Sequence, residues 1–369
     1  MKITDVKTYL VRANDGGTAN RPRGRNWLFV AVHTDEGIIG YGEGGGWPEV
    51  VEAGVREITP LLIGEDPFAT ERIWLKIYDI LHGHGQTGAV RGGVQSAIDI
   101  ALWDVKGKAL GVPVHVLLGG AVRDRIRVYG HASTPERARE LVAEGYTAFK
   151  CNPSAQVLAD LRSAVGDGID IGLHAHGEFT VHAAVRLARD AEPYRPAFFE
   201  EPTHPDEPDA LAAVADKVDV PLAAGERLPG KRAMYELITS GAIALVQPET
   251  TRLGGITELK KIAGIAEAAG VHVAPHAGSV GPIVELANVH VMATTPNFLF
   301  LEHMPDDIPR RHTVVDGAAQ VVDGHISLPT APGLGIELNL EEIGRYGLLP
   351  AEDYTYNHRT PEEIRRWHG

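Results

Sequence analysis

The spacing of apolar positions changes character along the chain. Residues 3–11, 27–33 and 38–43 are extended runs rich in apolar and β-branched side chains, the last following a tight turn at Asp35, Glu36 and Gly37. They predict a small antiparallel sheet. From Glu49 to Leu110 the period becomes helical, with Pro67 near a helix start and Gly111 then Pro113 closing the last helix. Strands followed by helices predict a separate α+β unit. The loop 14–26 between the first two strands, rich in Gly, Asn and Arg, is too polar for a core.

From Arg125 onward a strand-then-helix rhythm takes over. Extended apolar runs fall at 127–131, 147–152, 169–176, 197–201, 220–226, 243–249, 271–276 and 298–302, with helical stretches such as 181–191, 211–217, 256–269 and 283–292 between them. Such alternation predicts parallel strands joined by crossover helices, and eight units predict a barrel. Pro329, Pro332 and Gly333 mark a departure from the rhythm. The expected fold class is therefore α/β: a modified (β/α) barrel over 125–328, an N-terminal α+β capping domain over 1–124, and a C-terminal segment over 329–369 that returns to pack on the cap.

Composition narrows the partners. A formal charge of −14 argues against nucleic acid, and 44% hydrophobic with 23% charged residues is ordinary globular material. There is no run of 18 apolar residues, and Met1 to Asp5 lacks the apolar core of a signal peptide, so no membrane partner and a cytoplasmic location are expected. The single cysteine, Cys151, excludes an internal disulfide and a multi-cysteine zinc site. Its place in the second barrel strand predicts that it faces the helices. Net charge does not argue against a small anionic substrate, which answers to a local field. The glycines of 42–46 fit no phosphate-binding pattern, which excludes a nucleotide site there.

The strand ends carry the chemistry. From the second barrel strand onward they bear Lys150, His174, Glu200, Glu226, Glu249, His276 and Glu302, at successive gaps of 24, 26, 26, 23, 27 and 26 residues. One β/α unit takes about 25 residues or more, and the C-terminal ends of barrel strands are where catalytic groups gather. His176 lies two residues beyond His174 and so points to the same side of an extended chain.

Several stretches resemble the enolase superfamily: residues 95–120 (QSAIDIALWDVKGKALGVPVHVLLGG), the Phe-Phe-Glu-Glu-Pro run ending at Pro202, Ala224-Gly225-Glu226-Arg227, Gly254-Gly255-Ile256-Thr257 and Ala274-Pro275-His276. The chain is similar to the mandelate racemase subgroup and, within it, to acid-sugar dehydratases of the galactonate dehydratase type. The resemblance implies a divalent metal on three strand-end residues, matched here by His174, Glu200 and Glu226. It implies that His276 abstracts the α-proton of a carboxylic acid, that Glu249 orients it, that His176 is the general acid, and that Glu302 lies near the substrate carboxylate. Lys150 would help stabilise the enediolate, whose developing charge a metal and hydrogen-bond donors must balance. Asn152, Arg21, Arg23, Arg25 and Trp47 are the expected substrate-binding residues. The implied reaction is loss of the C2 proton and the C3 hydroxyl of an acid sugar, giving a 2-keto-3-deoxy acid, in a homo-oligomer.

Three positions depart from the family pattern. His174 stands where the family has an Asp, Glu249 where it has a shorter Asp, and Asn152 where racemases have a second lysine. Magnesium prefers oxygen ligands and imidazole suits softer ions, so His174 leaves Mg2+, Mn2+, Zn2+ or no metal open. Missing the second lysine counts against two-base racemisation. The alternatives are a cycloisomerase or epimerase of an α-substituted acid, and a non-catalytic member that has lost the metal site.

Overall fold

In the computed structural model, which describes residues 1–13, 26–85, 87–278, 280–304 and 309–348, the first three strands pair antiparallel in the order β1 (Ile3–Arg12), β2 (Asn26–Thr34), β3 (Ile39–Gly44). The alternation of β2 divides its side chains between two cores. Leu28, Val30 and Val32 face the cap helices α1 (Pro48–Leu62), α2 (Thr70–Gly83) and α3 (Ala89–Leu110), where they join Val55, Ile73 and Ile98. Trp27, Phe29 and Ala31 belong to the main core shared with the barrel. Burying each large side chain of this kind contributes about 1.5–3 kcal/mol, so β2 ties the two bodies together along its whole length.

Helix α3 is buried over most of its 22 residues because it lies between the cap sheet and the barrel. A Cβ at Gly42 would sit 2.0 Å from the Ala97 carbonyl oxygen, and one at Gly92 would sit 1.6 Å from that of Arg252. Gly42 of β3 and Gly92 of α3 thus serve backbone approach. Asp99 on α3 accepts hydrogen bonds from the Thr257 N–H (2.9 Å) and hydroxyl (2.5 Å) on the barrel side.

After the short α4 (Val114–Leu117) the barrel strands follow: β4 (Arg125–His131), β5 (Ala148–Cys151), β6 (Asp170–His174), β7 (Phe198–Glu200), β8 (Leu222–Ala224), β9 (Leu245–Val246), β10 (His272–Val273) and β11 (Leu301–Glu302). Pairing is parallel from β4 round to β10. A parallel bridge at Val273 and Phe298 and the β11–β4 ladder close the ring. The ladders are shorter than the apolar runs suggest: 243–249 contributes two paired strand residues. Pro248 and Pro275 have no N–H to give, so the ladder is interrupted there and resumes as a single parallel bridge between Glu249 and His276.

Between the strands run α5 (Pro135–Ala143), α6 (Ala155–Val165), α7 (Val181–Ala191), α8 (Pro208–Ala215), α9 (Gly230–Thr239), α10 (Thr250–Leu253), α11 (Gly255–Ala268) and α12 (Pro282–Ala293). The first three begin on side-chain caps, with the hydroxyls of Thr134, Ser154 and Thr180 accepting the N–H groups of Arg137, Val157 and Ala183. Cys151 is buried within the main core, as its strand position predicts. Below the mouth, Tyr129, Phe198 and Phe300 fill the barrel interior, their rings 4.8 to 6.2 Å apart.

Past β11 the rhythm breaks. Strands β12 (Val315–Asp316) and β15 (Glu337–Leu338) pair with each other, and the hairpin of β13 (Val321–Val322) and β14 (His325–Ser327) runs antiparallel to the start of β4. The chain then returns to the cap. Leu334 N–H donates to Asp104 Oδ1 at 2.7 Å, Val114 N–H donates to Gly333 O at 2.9 Å, and Lys108 bridges Asp104 and Glu337. No helix among the described residues is long and apolar enough to cross a membrane.

Asp104 is a single anchor for three segments, because its other oxygen accepts the Tyr41 N–H at 2.9 Å. Asp104→Ala leaves the Tyr41 and Leu334 N–H groups buried and unpaired, and should lower the unfolding free energy by roughly 2–4 kcal/mol. Urea denaturation checks this; an unchanged midpoint would show that the tail is held some other way.

Candidate active site

Ionisable side chains occupy all eight barrel strand ends. The seven in phase from Lys150 to Glu302 share the mouth with His131, which ends β4 and pairs in register with Lys150. Sequence reasoning starts its series at the second strand and misses it. The signal is present: His131 closes the first apolar run of the barrel.

Lys150 is wholly buried, its Nζ 2.9 Å from both oxygens of Glu200 and 3.1 Å from Glu302 Oε1. Burial alone would drive the ammonium towards neutrality, but the two carboxylates outweigh it and raise its pKa above the ordinary value. Burial also opposes charge on Glu200 and Glu302, and the Lys150 ammonium reverses this, holding both below the usual carboxylate range. Glu302 is further engaged: the Ala277 N–H donates to Oε2 at 2.7 Å, and His131 Nε2 lies 2.6 Å from Oε1. Burial holds His131 neutral, its pKa lowered to about 4.

The other half of the mouth is built around Glu226 and His276. His276 Nδ1 lies 2.7 Å from Glu249 Oε2, a carboxylate oxygen that can only accept, so Nδ1 carries the hydrogen and Nε2 faces the cavity. Its Nε2 is 3.6 Å from Glu226 Oε2 and 3.5 Å from Glu302 Oε2. Burial lowers the pKa of this imidazole, but Glu226, Glu302 and Glu249 prevail and raise it to about 9. His176 Nε2 approaches the same Glu226 Oε2 at 3.7 Å, and burial, with His174 beside it, lowers its pKa to about 4. Arg252, which sequence reasoning does not single out, donates to Glu226 Oε1 at 3.0 Å. Burial works against charge on Glu226, and His276 and Arg252 bring it down to about 2.

The expected metal donors are neighbours. His174 and Glu200 are paired in register, with Nδ1 3.1 Å from Oε1 but off the line of a hydrogen bond. His174 Nδ1 and Glu226 Oε2 are both buried without a hydrogen-bond partner. Four carboxylates, Glu200, Glu226, Glu249 and Glu302, face two permanent cations, Lys150 and Arg252. Two orphaned donor atoms and that charge imbalance fit a divalent cation, although no three donors among the described residues converge on one point.

The expected substrate contacts are less well assembled. Asn152 is exposed past the end of β5, its N–H taken by the Ser133 hydroxyl at 3.0 Å. Trp47 precedes α1 and is 47% exposed. Arg21, Arg23 and Arg25 lie outside the described residues.

A buried network supports the site from behind. Glu43 of β3 accepts the N–H groups of Gly281 and Val284 at the start of α12, just after the His276 turn. Glu285 on α12 lies 2.6 Å from His303 Nδ1 and 3.5 Å from Arg311. His303 directly follows Glu302.

Comparison with known proteins agrees with this architecture. Residues 20–119 match the family described as mandelate racemase/muconate lactonizing enzyme, N-terminal domain, and residues 133–343 match the enolase C-terminal domain-like family. The chain is 37% identical to a D-galactonate dehydratase of Verminephrobacter eiseniae over 368 residues, 92% of each protein. It superposes on the mandelate racemase/muconate lactonizing enzyme of Jannaschia sp. CCS1 with a TM-score of 0.87 and 33% identity, over 95% of this chain and 98% of that one. The 3,6-anhydro-D-galactonate cycloisomerase of Zobellia galactanivorans gives a TM-score of 0.87 at 28% identity, over 94% and 99%.

Two outcomes follow from the charge arrangement. Lys150→Met leaves Glu200 and Glu302 buried without their counter-ion and should cost about 3–5 kcal/mol in denaturant unfolding, with the mouth chemistry lost. Glu285, opposed by burial but pulled down to about 2 by Arg311 and His303, contributes stability above its unfolded pKa of about 4.5 that disappears as pH falls towards 2. Unfolding measured from pH 6 to pH 2 should show this loss, on the order of 3 kcal/mol, in the wild type and not in Glu285→Gln. Parallel pH curves for the two proteins would contradict the assignment.

Proposed function

Because the chain belongs to the mandelate racemase/muconate lactonizing enzyme family of the enolase superfamily, we propose that it is a hydro-lyase acting on an acid sugar, removing the C2 proton and the C3 hydroxyl to give a 2-keto-3-deoxy acid and water. Enzymes of this family typically use a divalent metal. The observation that carries the reading is that two histidines, from strands on either side of β8, meet one carboxylate oxygen: His276 Nε2 at 3.6 Å and His176 Nε2 at 3.7 Å from Glu226 Oε2. Elimination of a β-hydroxyl needs both a base for the carbon acid and an acid for hydroxide, a poor leaving group.

His276, oriented by Glu249, takes the C2 proton on Nε2. Lys150 offers a fixed positive charge next to the enediolate oxygens, and His176 gives a proton to the departing C3 hydroxyl, which leaves as water. The enol so formed tautomerises to the keto acid. His174, Glu200 and Glu226 would hold the metal. When bound, a divalent cation supplies electrophilic stabilisation of the substrate carboxylate. The surrounding carboxylates favour the protonated form of His276 while burial favours neutral His176, so the productive state has the opposite distribution. Glu226 Oε2 lies between the two rings.

The similarity to an anhydro-sugar cycloisomerase supports a second reading. With a 3,6-anhydro acid, the same C2 deprotonation expels the C3 ether oxygen and opens the ring without loss of water. Both substrates converge on the same 2-keto-3-deoxy acid, so the substrate that is consumed, hydroxy acid or anhydro acid, separates the two.

The test is a panel of sugar acids and anhydro sugar acids with Mg2+, Mn2+ and Zn2+, read by 2-oxo acid formation and by deuterium uptake at C2 in heavy water. His276→Asn should abolish both readouts, by about a thousandfold or more, whereas His176→Asn should retain C2 exchange and lose elimination by about a hundredfold. The reading fails if no substrate yields an oxo acid with any metal, or if His276→Asn matches the wild type.

A further inference from the structure

His276 is the last link of a chain of contacts that begins in the cap. Its Nδ1 lies 2.7 Å from Glu249 Oε2. Glu249 is wholly buried, and the last torsion of a glutamate is broad and roughly two-fold, so a contact on one oxygen leaves the carboxylate free to turn. The second oxygen removes that freedom. Glu249 Oε1 accepts the Thr251 hydroxyl at 2.8 Å and the Thr251 N–H at 3.1 Å. The backbone beneath is tied as well, because the Thr250 hydroxyl at the start of α10 donates to Asn288 Oδ1 on α12 at 2.5 Å. Thr250, Thr251 and Asn288 are all buried.

The cap controls the space around the Thr251 hydroxyl. Gly45 lies just past the end of β3, and its N–H donates to the Thr251 carbonyl at 3.3 Å. A Cβ at Gly45 would sit 2.3 Å from Thr251 Oγ1 and 2.7 Å from its Cβ. Gly45 is not one of the left-handed glycines of the chain, so close approach is what calls for glycine here. Threonine in a helix divides between two χ1 wells, and a side chain at position 45 would push the hydroxyl out of the one that meets Glu249.

We propose that Thr251 is a positioning residue: its hydroxyl holds the Glu249 carboxylate where it meets the His276 ring, and Gly45 lets the cap close over that hydroxyl without displacing it. The aim of the base is then set by the docked cap as well as by the barrel. The inference rests on the reading of His276 as the group that takes the C2 proton. The role is one of orientation and holds for either charge state of the ring.

Three substitutions separate this role from packing. Thr251→Val removes the hydroxyl and keeps the branched shape, Thr251→Ser restores the hydroxyl, and Gly45→Ala sets a methyl group against Oγ1. The full-length protein, loaded with whichever of Mg2+, Mn2+ and Zn2+ supports wild-type turnover, is assayed on D-galactonate or on the sugar acid of the panel that the wild type turns over fastest. Deuterium uptake at C2, 2-oxo acid formation and KM are read per folded, metal-loaded protein, with urea midpoints alongside. Crystal structures of the variants give the position of the His276 ring.

Thr251→Val should lower C2 exchange and elimination by one common factor, about tenfold to thirtyfold, with KM within about threefold of the wild type. A common factor marks the base, since loss of the acid at His176 spares exchange. Thr251→Ser should return both rates to within about threefold. Gly45→Ala should fall as Thr251→Val does, and the double variant no further than Thr251→Val alone. The Glu249 carboxylate and the His276 ring should be turned in Thr251→Val and Gly45→Ala but not in Thr251→Ser.

The proposal is overturned if Thr251→Val exchanges at the wild-type rate, if its only loss is in KM or in the urea midpoint, if Thr251→Ser is equally impaired, or if the two sites act additively. Thr251→Val and Thr251→Ser carry the decision if Gly45→Ala does not fold. Those outcomes leave the dehydratase reading intact. A wild type inert towards every sugar acid of the panel, or a His276→Asn variant equal to it, overturns both.

Discussion

An ammonium group sealed from water between two carboxylates sets the terms for the barrel mouth. Lys150 has no exposed surface, and a lone buried ion of that kind costs several kcal/mol, so it persists because Glu200 and Glu302 flank it. Those glutamates are equally buried and equally dependent on the lysine. Each then engages an imidazole on its far side, His174 next to Glu200 and His131 next to Glu302. Across the ring Arg252, Glu226, His276 and Glu249 repeat the alternation of charge. Each carboxylate lies beside a cation, Lys150 for Glu200 and Glu302, Arg252 and His276 for Glu226, and His276 for Glu249, which is how a cluster of four carboxylates coexists with a packed barrel.

The cap takes part in this arrangement and does more than cover it. Glu43, on the last cap strand, satisfies the first N–H groups of α12 and so holds the turn that follows His276. Burial raises the pKa of Glu43 to about 7 against the pull of those hydrogen bonds. Helix α3 presses backbone to backbone on β3 through Gly42 and on α10 through Gly92, and α10 carries Arg252. A shift of the cap sheet would reach Glu226 through that helix and His276 through Glu43.

Much of the site is legible in the order of residues alone, because the β/α repeat imposes a near-constant spacing on strand ends. A side chain that terminates one apolar run of a barrel must lie at the same face as one that terminates the next. Residues Lys150, His174, Glu200, Glu226, Glu249, His276 and Glu302 follow that rule. The seryl and threonyl caps of α5, α6 and α7 mark the loops on that face. His131 also ends an apolar run, and it escapes notice because it lies 19 residues before Lys150, outside the spacing of 23 to 27 that links the others. Arg252 cannot be found by spacing, since its contact with Glu226 depends on the turn of α10, four residues long.

What the sequence by itself determined is the alternation of strand and helix, the barrel it implies, and the types of side chain carried to one rim, all properties of local periodicity. What tertiary structure alone decided is how those side chains are charged and paired. Lys150 is held charged by Glu200 and Glu302, His276 is raised while His176 is lowered, and His131 is tied through Nε2 to Glu302. Periodicity fixes which face a residue occupies within a few ångströms. Protonation and hydrogen bonding turn on tenths of an ångström and on exclusion of water, and these exist once all eight strands and the cap have closed around the same space.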